Sequence, residues 1–119
     1  MTGKIIGCAM AVHKELGPGY LECIYENAMA HELAKQSLRV ERQKVVKVLY
    51  DGIPVGEHRV DLFVEGRVVV ELKSVEIITS KHVAQAISTL KAVKAEVALL
   101  MNFDEAVLAD GIRRVVLSK

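Results

Sequence analysis

Three charged side chains stand inside two strongly apolar segments. Asp61 lies in His-Arg-Val-Asp-Leu-Phe-Val, residues 58–64, and Glu71 and Lys73 close the run Val-Val-Val-Glu-Leu-Lys, residues 68–73. Val60, Leu62 and Val64 alternate with Arg59, Asp61 and Phe63, and residues 67–72 carry three consecutive valines and a leucine, which predicts two strands covered on at least one face. A two-residue period sets Glu71 and Lys73 on one face and Leu72 on the other. Glu65-Gly66-Arg67 predicts a three-residue hairpin loop with glycine at its bend, and the resulting register places Asp61 opposite Glu71. Two carboxylates and one ammonium then share a patch.

Burying an ion costs several kcal/mol even after relaxation, so such a cluster requires compensation. Two adjacent carboxylates repel, and one lysine does not neutralise both. A divalent cation does. Oxygen ligands from both carboxylates, with a backbone carbonyl and waters, suit Mg²⁺, an ion that keeps much of its hydration shell and commonly sits beside phosphates. The chemistry indicated is metal-dependent hydrolysis of a phosphodiester. The same residues also fit an ordinary ion pair, Glu71 with Lys73 or Arg59, at a sheet edge. Glu-x-Lys spacing alone does not separate the two.

The elements that must position these residues follow from periodicity. Ile5, Ala9, Val12 and Leu16 recur at helical spacing and stop at Gly17-Pro18-Gly19. A second helix is predicted from about Tyr20 to Gln36, with Leu21, Ile24, Ala28 and Leu33 inward. Residues 39–50 are rich in β-branched side chains and end at Asp51-Gly52, predicting a strand and a turn. After the two charged strands, Thr79 or Ser80 caps a helix to about Ala95. Val97 to Met101 reads as a buried strand, Asp104 to Asp110 as a short helix or loop, and Ile112 to Leu117 as a last strand. Two helices, a three-stranded meander, a crossover helix and a returning strand make an α/β fold, a mixed sheet with helices against its faces. On the helix after the Glu-x-Lys strand, Val83, Ala86, Ile87, Leu90 and Val93 form the apolar stripe. Lys81, His82, Gln85, Ser88 and Thr89 are placed opposite it, either facing a ligand beside the charged strand or simply facing water.

At 119 residues the chain is one domain, 1–119, able to bury roughly two-thirds of its unfolded surface. An apolar fraction of 51% with 4% aromatics and no Trp indicates a core of Val, Leu, Ile and Ala. The net charge of +1 excludes a dedicated nucleic-acid-coating protein. Local patches, Arg39, Arg42, Lys44 and Lys47, or Lys81, Lys91, Lys94, Arg113 and Arg114, must hold any nucleic acid, unless they are solvated faces. Cys8 and Cys23 lack CxxC spacing and a matching His array, so reduced thiols and a cytoplasmic location are expected. Ile5-Ile6-Gly7-Cys8 resembles a lipoprotein cleavage box but comes too early to follow a signal-peptide apolar core, and no stretch has membrane-spanning length.

Gly19-Tyr20-Leu21-Glu22-Cys23-Ile24-Tyr25 matches the G-x-x-E-x-x-Y signature, and the chain resembles the GxxExxY proteins of the PD-(D/E)XK nuclease-like superfamily. The similarity extends through the Gly-Pro-Gly turn, Val40-Glu41-Arg42-Gln43, Arg59-Val60-Asp61-Leu62, Val70-Glu71-Leu72-Lys73, Gln85, Asn102-Phe103 and Asp110-Gly111-Ile112-Arg113-Arg114-Val115. The resemblance implies a restriction-endonuclease-like αβββαβ core and a nuclease using Mg²⁺ or Mn²⁺ to hydrolyse DNA or RNA. It implies that Asp61, Glu71 and the Leu72 carbonyl are metal ligands, that Glu22 holds a metal-bound water or a second cation, and that Lys73 orients or helps deprotonate the attacking water and stabilises charge on the phosphate. Gln85 would brace the site. Tyr25 would contact a carboxylate or phosphate, beside Lys81, His82 and Thr89 as substrate-binding groups. Val60 replaces the superfamily's named proline, and Thr89 stands where relatives with a Gln-x-x-x-Tyr motif carry tyrosine. The alternative is a nucleic-acid-binding or partner-binding module that keeps the fold without cutting. A core of this length leaves little surface for a complete substrate cleft, so a homodimer is expected.

Overall fold

The computed structural model describes residues 1–117. Helix α1 (Thr2–Leu16) buries Ile5, Cys8, Ala9 and Val12 and ends at Gly17, whose N–H returns to the His13 carbonyl at 2.8 Å. Helix α2 (Glu22–Lys35) buries Tyr25, Glu26, Met29 and Leu33. Its inward stripe is therefore rotated from the expected one. Leu21 is 72% exposed and Ile24 is exposed, because Tyr25, stacked on Phe103 with ring centroids 4.5 Å apart, fixes the helix's rotation.

Five strands form one sheet in the order β1 (Val40–Tyr50), β2 (Ile53–Val64), β3 (Val68–Lys73), β4 (Val97–Asn102) and β5 (Ile112–Val116). Helix α3 (Ser80–Val93) joins β3 to β4, and these two strands are parallel; every other neighbouring pair is antiparallel. This is the mixed α/β sheet expected, with the three-residue loop 65–67 in place. Gly66 there adopts φ 62°, a left-handed conformation that glycine accepts without a Cβ clash. The loop before β5 closes with a 3₁₀ turn, Leu108–Gly111.

The sheet separates two cores. Leu62, Val64, Val68, Val70, Leu72, Leu99 and Met101 meet α1 and α2, while Val60, Val69, Ala98 and Leu100 meet Ala86 and Leu90 of α3. Val60 and Leu62 are both fully buried, yet in opposite cores. The simple alternation expected of residues 59–64 therefore fails at Asp61. Strand β1 changes face at the same level: Arg42 reaches Glu26 of α2, but Val46 enters the α3 core. Pairing steps from Arg42↔Leu62 to Lys44↔Val60, skipping Gln43 and Asp61, and Gln43 has φ 51°. A left-handed residue in a strand breaks the pleat and re-aims side chains, as a bulge does. The arm beyond this level leans away from β3, whose pairing with β2 covers only Leu62↔Val70, Phe63↔Val69 and Val64↔Val68.

Candidate active site

Where β2 leaves β3, two carboxylates take over the vacated backbone edge. The Leu72 N–H donates to Asp61 Oδ2 at 2.7 Å, and the Ser74 N–H donates to Glu22 Oε2 at 3.1 Å. Alternate residues of a strand turn their backbone groups to the same edge, so the Leu72 carbonyl also faces this opening. The other edge stays paired with β4, and past its end the Lys73 carbonyl accepts the Phe103 N–H at 2.9 Å. Register extrapolated one step beyond Leu62↔Val70 puts Asp61 level with Glu71, as the hairpin length predicts.

Glu22 owes its place to a turn held by Tyr25. The Tyr25 hydroxyl donates to the Gly17 carbonyl at 2.6 Å and accepts the Tyr20 N–H at 3.1 Å, while the Ser74 hydroxyl donates to the Tyr20 carbonyl at 3.0 Å. The start of α2 is thereby tied to the exit of β3. That exit is also gripped by Asn102, a fully buried side chain whose Oδ1 accepts the N–H groups of Val75 and Asp104 and whose Nδ2 donates to the Val75 carbonyl. Gly111 packs beside it: a Cβ there would lie 2.7 Å from the Asn102 carbonyl oxygen.

Glu71 is 7% exposed and points toward α3. Its Oε1 lies 3.5 Å from Nε2 of His58, and neither buried atom has a hydrogen-bond partner among the described residues. Together with Lys73, His82, Gln85, Ala86, Thr89 and Leu100 these two residues line a cavity of about 20 Å³, room for about one water or ion. Burial pushes the Glu71 carboxyl up to about 8, helped by the charge and hydrogen bonding of Asp61 and opposed by the Lys73 ammonium and the Asp61 backbone. An orphaned carboxylate oxygen beside a second carboxylate fits a cation. Among the described residues, however, no three His, Cys, Asp or Glu groups are drawn together as a ready-made cage. Such economy suits ions that take one or two carboxylates and leave the remaining positions to water and substrate phosphate.

A wider groove of about 500 Å³ adjoins this cavity. Lys47, Val48 and Leu49 of the arm form one wall, Ser88, Lys91, Ala92 and Lys94 of the α3 region the other, and His58, Gln85 and Thr89 border both spaces.

A family model described as the PD-(D/E)XK nuclease superfamily matches residues 1–115. The chain belongs to that superfamily. No curated protein and no solved structure matches it. Its sheet and flanking helices are those of the restriction-endonuclease-like fold, its membership points to a nuclease with a nucleic-acid substrate, and PD-(D/E)XK nucleases generally use divalent metals. Among the described residues no helix is long and apolar enough to cross a membrane.

The expected residues of this superfamily member divide into three groups. Asp61, Leu72, Glu71, Lys73 and Gln85 lie at or beside the small cavity, and Glu22 joins them through the β3 backbone. His82 lines the cavity, its Nδ1 accepting the Thr79 N–H at 3.0 Å, which leaves the proton of the neutral ring on Nε2. Thr89 also faces inward, buried rather than on a solvated side, with its hydroxyl donated to the Gln85 carbonyl. Lys81 is exposed and does not line the cavity. Tyr25 has a different place from the one expected: fully buried, with its hydroxyl committed to the Gly17–Tyr20 turn, it shapes the site without facing it. In the first basic patch, Arg39, Arg42 and Lys44 pair with Glu65, Glu26 and Glu41, so only Lys47 of that group reaches the groove. Sequence reasoning missed His58. Its spacing of three from Asp61 is the wrong parity for a shared face, and only the reversal at Asp61 brings it to Glu71.

Proposed function

We propose that this protein is a divalent-metal-dependent nuclease of the GxxExxY type, hydrolysing DNA or RNA phosphodiester bonds with Mg²⁺ or Mn²⁺. The observation that carries the reading is the buried Glu71 Oε1, without a hydrogen-bond partner among the described residues and facing a one-ion cavity, with Asp61 beside it and Lys73 on the same strand face. Asp61, Glu71 and the Leu72 carbonyl would hold the ion, and Glu22 would support a water bound to it or a second ion. A bound divalent cation supplies acidity to a coordinated water and charge neutralisation to the phosphate. Lys73 aligns the attacking water and donates to a non-bridging phosphate oxygen, where charge accumulates as the new P–O bond forms and the leaving oxygen departs. Gln85 holds the water and phosphate in line, and His82 Nε2–H and Lys81 contact flanking phosphates. Incubation with labelled duplex and single-stranded DNA and RNA plus Mg²⁺ or Mn²⁺ tests the reading. Metal-dependent product is expected; binding that persists in chelator with no product under any condition would select the non-cutting alternative.

The substrate strand runs along the groove between the arm and α3. Lys47, Lys91 and Lys94 carry no ion-pair partner among the described residues, and the groove opens onto the residues of the cavity. Lys91→Glu is expected to weaken binding to every sequence alike and to lower the slope of log K against log salt by about one phosphate contact. An unchanged salt slope would place the strand elsewhere. A homodimer extends the cleft, with the exposed Leu49, Tyr50, Ile53 and Val55 at the arm's tip as its contact. Equilibrium sedimentation at micromolar concentration should show dimer, and monomer alone counts against it.

A further inference from the structure

His58 is given no task by the reading above, and its surroundings supply one. Two buried polar atoms without hydrogen-bond partners face each other across 3.5 Å, Nε2 of His58 and Oε1 of Glu71, at the wall of a cavity the size of one ion. An unpaired buried polar atom is costly, and two of them converging on one point are seldom left so without a ligand. Ligands held about 2.1 Å from a common ion stand roughly 3.0 Å apart in octahedral and roughly 3.4 Å apart in tetrahedral coordination. The observed separation suits a shared ion better than a direct hydrogen bond.

We infer that His58 is itself a metal ligand through Nε2, sharing with Glu71 an ion that is a first-row transition metal in preference to Mg²⁺. This rests on the metal-dependent reading but adds a nitrogen donor to its oxygen ligands. Imidazole is a good ligand for transition ions, whereas Mg²⁺ selects oxygen and is reluctant to shed water. The other histidine of the cavity does not compete for the role. His82 spends Nδ1 on the Thr79 N–H, so its Nε2 carries a proton in the neutral ring and donates instead of ligating. His58 also borders the wide groove, so a metal it holds meets the substrate strand at the groove's inner end.

The test measures metal binding on the full chain without substrate. Titration calorimetry with Mn²⁺ and with Mg²⁺ is run on the wild type, His58→Gln and His82→Gln, alongside pulsed electron paramagnetic resonance of the Mn²⁺ complex for coupling to nitrogen. The wild type should bind Mn²⁺ more tightly than Mg²⁺ and show a nitrogen coupling that vanishes in His58→Gln and survives in His82→Gln. Mn²⁺ affinity of His58→Gln should fall at least as far as the roughly 10–100-fold lost when groups outside a ligand shell are removed, with a much smaller change for Mg²⁺. Equal losses for both ions would make His58 a structural neighbour of Glu71 and overturn the inference. So would a wild-type Mn²⁺ complex with no nitrogen coupling, a result that needs no variant to fold. In either case metal-dependent cleavage by the wild type would leave the nuclease reading standing, while cleavage failing with every ion would remove that reading itself.

Discussion

Lys73→Ala is expected to lower the cleavage rate by about 10²–10³-fold while leaving divalent-ion binding within a few-fold of wild type. That is the loss typical of removing one preorganised electrostatic donor aimed at developing charge. The ammonium is half-buried on the face that carries Glu71, at the wall of the small cavity, where water screens it poorly. Glu71→Ala should differ in kind. It removes the carboxylate that faces the cavity, so ion binding and cleavage disappear together. Single-turnover cleavage with saturating Mn²⁺, paired with calorimetric titration of the ion, separates the two outcomes. If Lys73→Ala cuts at the wild-type rate, the ammonium takes no part in the reaction. If Glu71→Ala still binds the ion at wild-type strength, the cation sits elsewhere.

The contrast between Asp61 and His58 shows what the one-dimensional pattern conveys and what it hides. The hairpin length, the valine run and the Gly66 bend are local features with one inexpensive geometry, so they determine β3, its loop and the level of Asp61 without tertiary information. The parallel β4 was legible for a similar reason, since a helix-length segment between two buried strands calls for a crossover. His58 was not legible. A two-residue period assigns it away from Asp61, and the face reversal depends on Gln43 in the neighbouring strand, whose left-handed φ has no glycine or Asn-Gly signal to announce it. Tyr25 failed in the opposite direction. Helical spacing correctly placed it one turn from Glu22, but its hydroxyl is taken by a turn whose geometry depends on Gly17 and Tyr20 together. Asn102 left a usable trace, a polar residue closing an unbroken apolar run, because a strand end buried in a core needs a side chain to satisfy the next loop's backbone.

Glu71→Gln should stabilise the metal-free protein, and by more as pH rises. The carboxyl of Glu71 is pushed from an ordinary 4.5 up to about 8, so the folded chain holds this proton where the unfolded chain has released it. Stability rises with pH only where the unfolded state binds more protons, and here it binds fewer. Below about pH 4.5 both states are protonated and the group contributes nothing. Between 4.5 and 8 its contribution becomes progressively unfavourable, by up to about 1.4 kcal/mol per pH unit, reaching on the order of a few kcal/mol before levelling off above 8. The groups facing Glu71 are Asp61 and His58 from β2, Lys73 from its own strand and His82 from α3, so the comparison is repeated in a His58→Gln background to isolate the carboxyl from the imidazole 3.5 Å away. Urea unfolding in chelator from pH 5 to 9 should show the gap between Glu71→Gln and wild type widening toward alkaline pH in favour of the variant. Saturating Mn²⁺ should narrow that gap at pH 8, since an ion at about 100 times its Kd stabilises the native wild type by about 2.7 kcal/mol and the variant has lost its site. Parallel pH curves would mean that Glu71 ionises as a solvated carboxylate does. The penalty that the cation is proposed to relieve would then be absent.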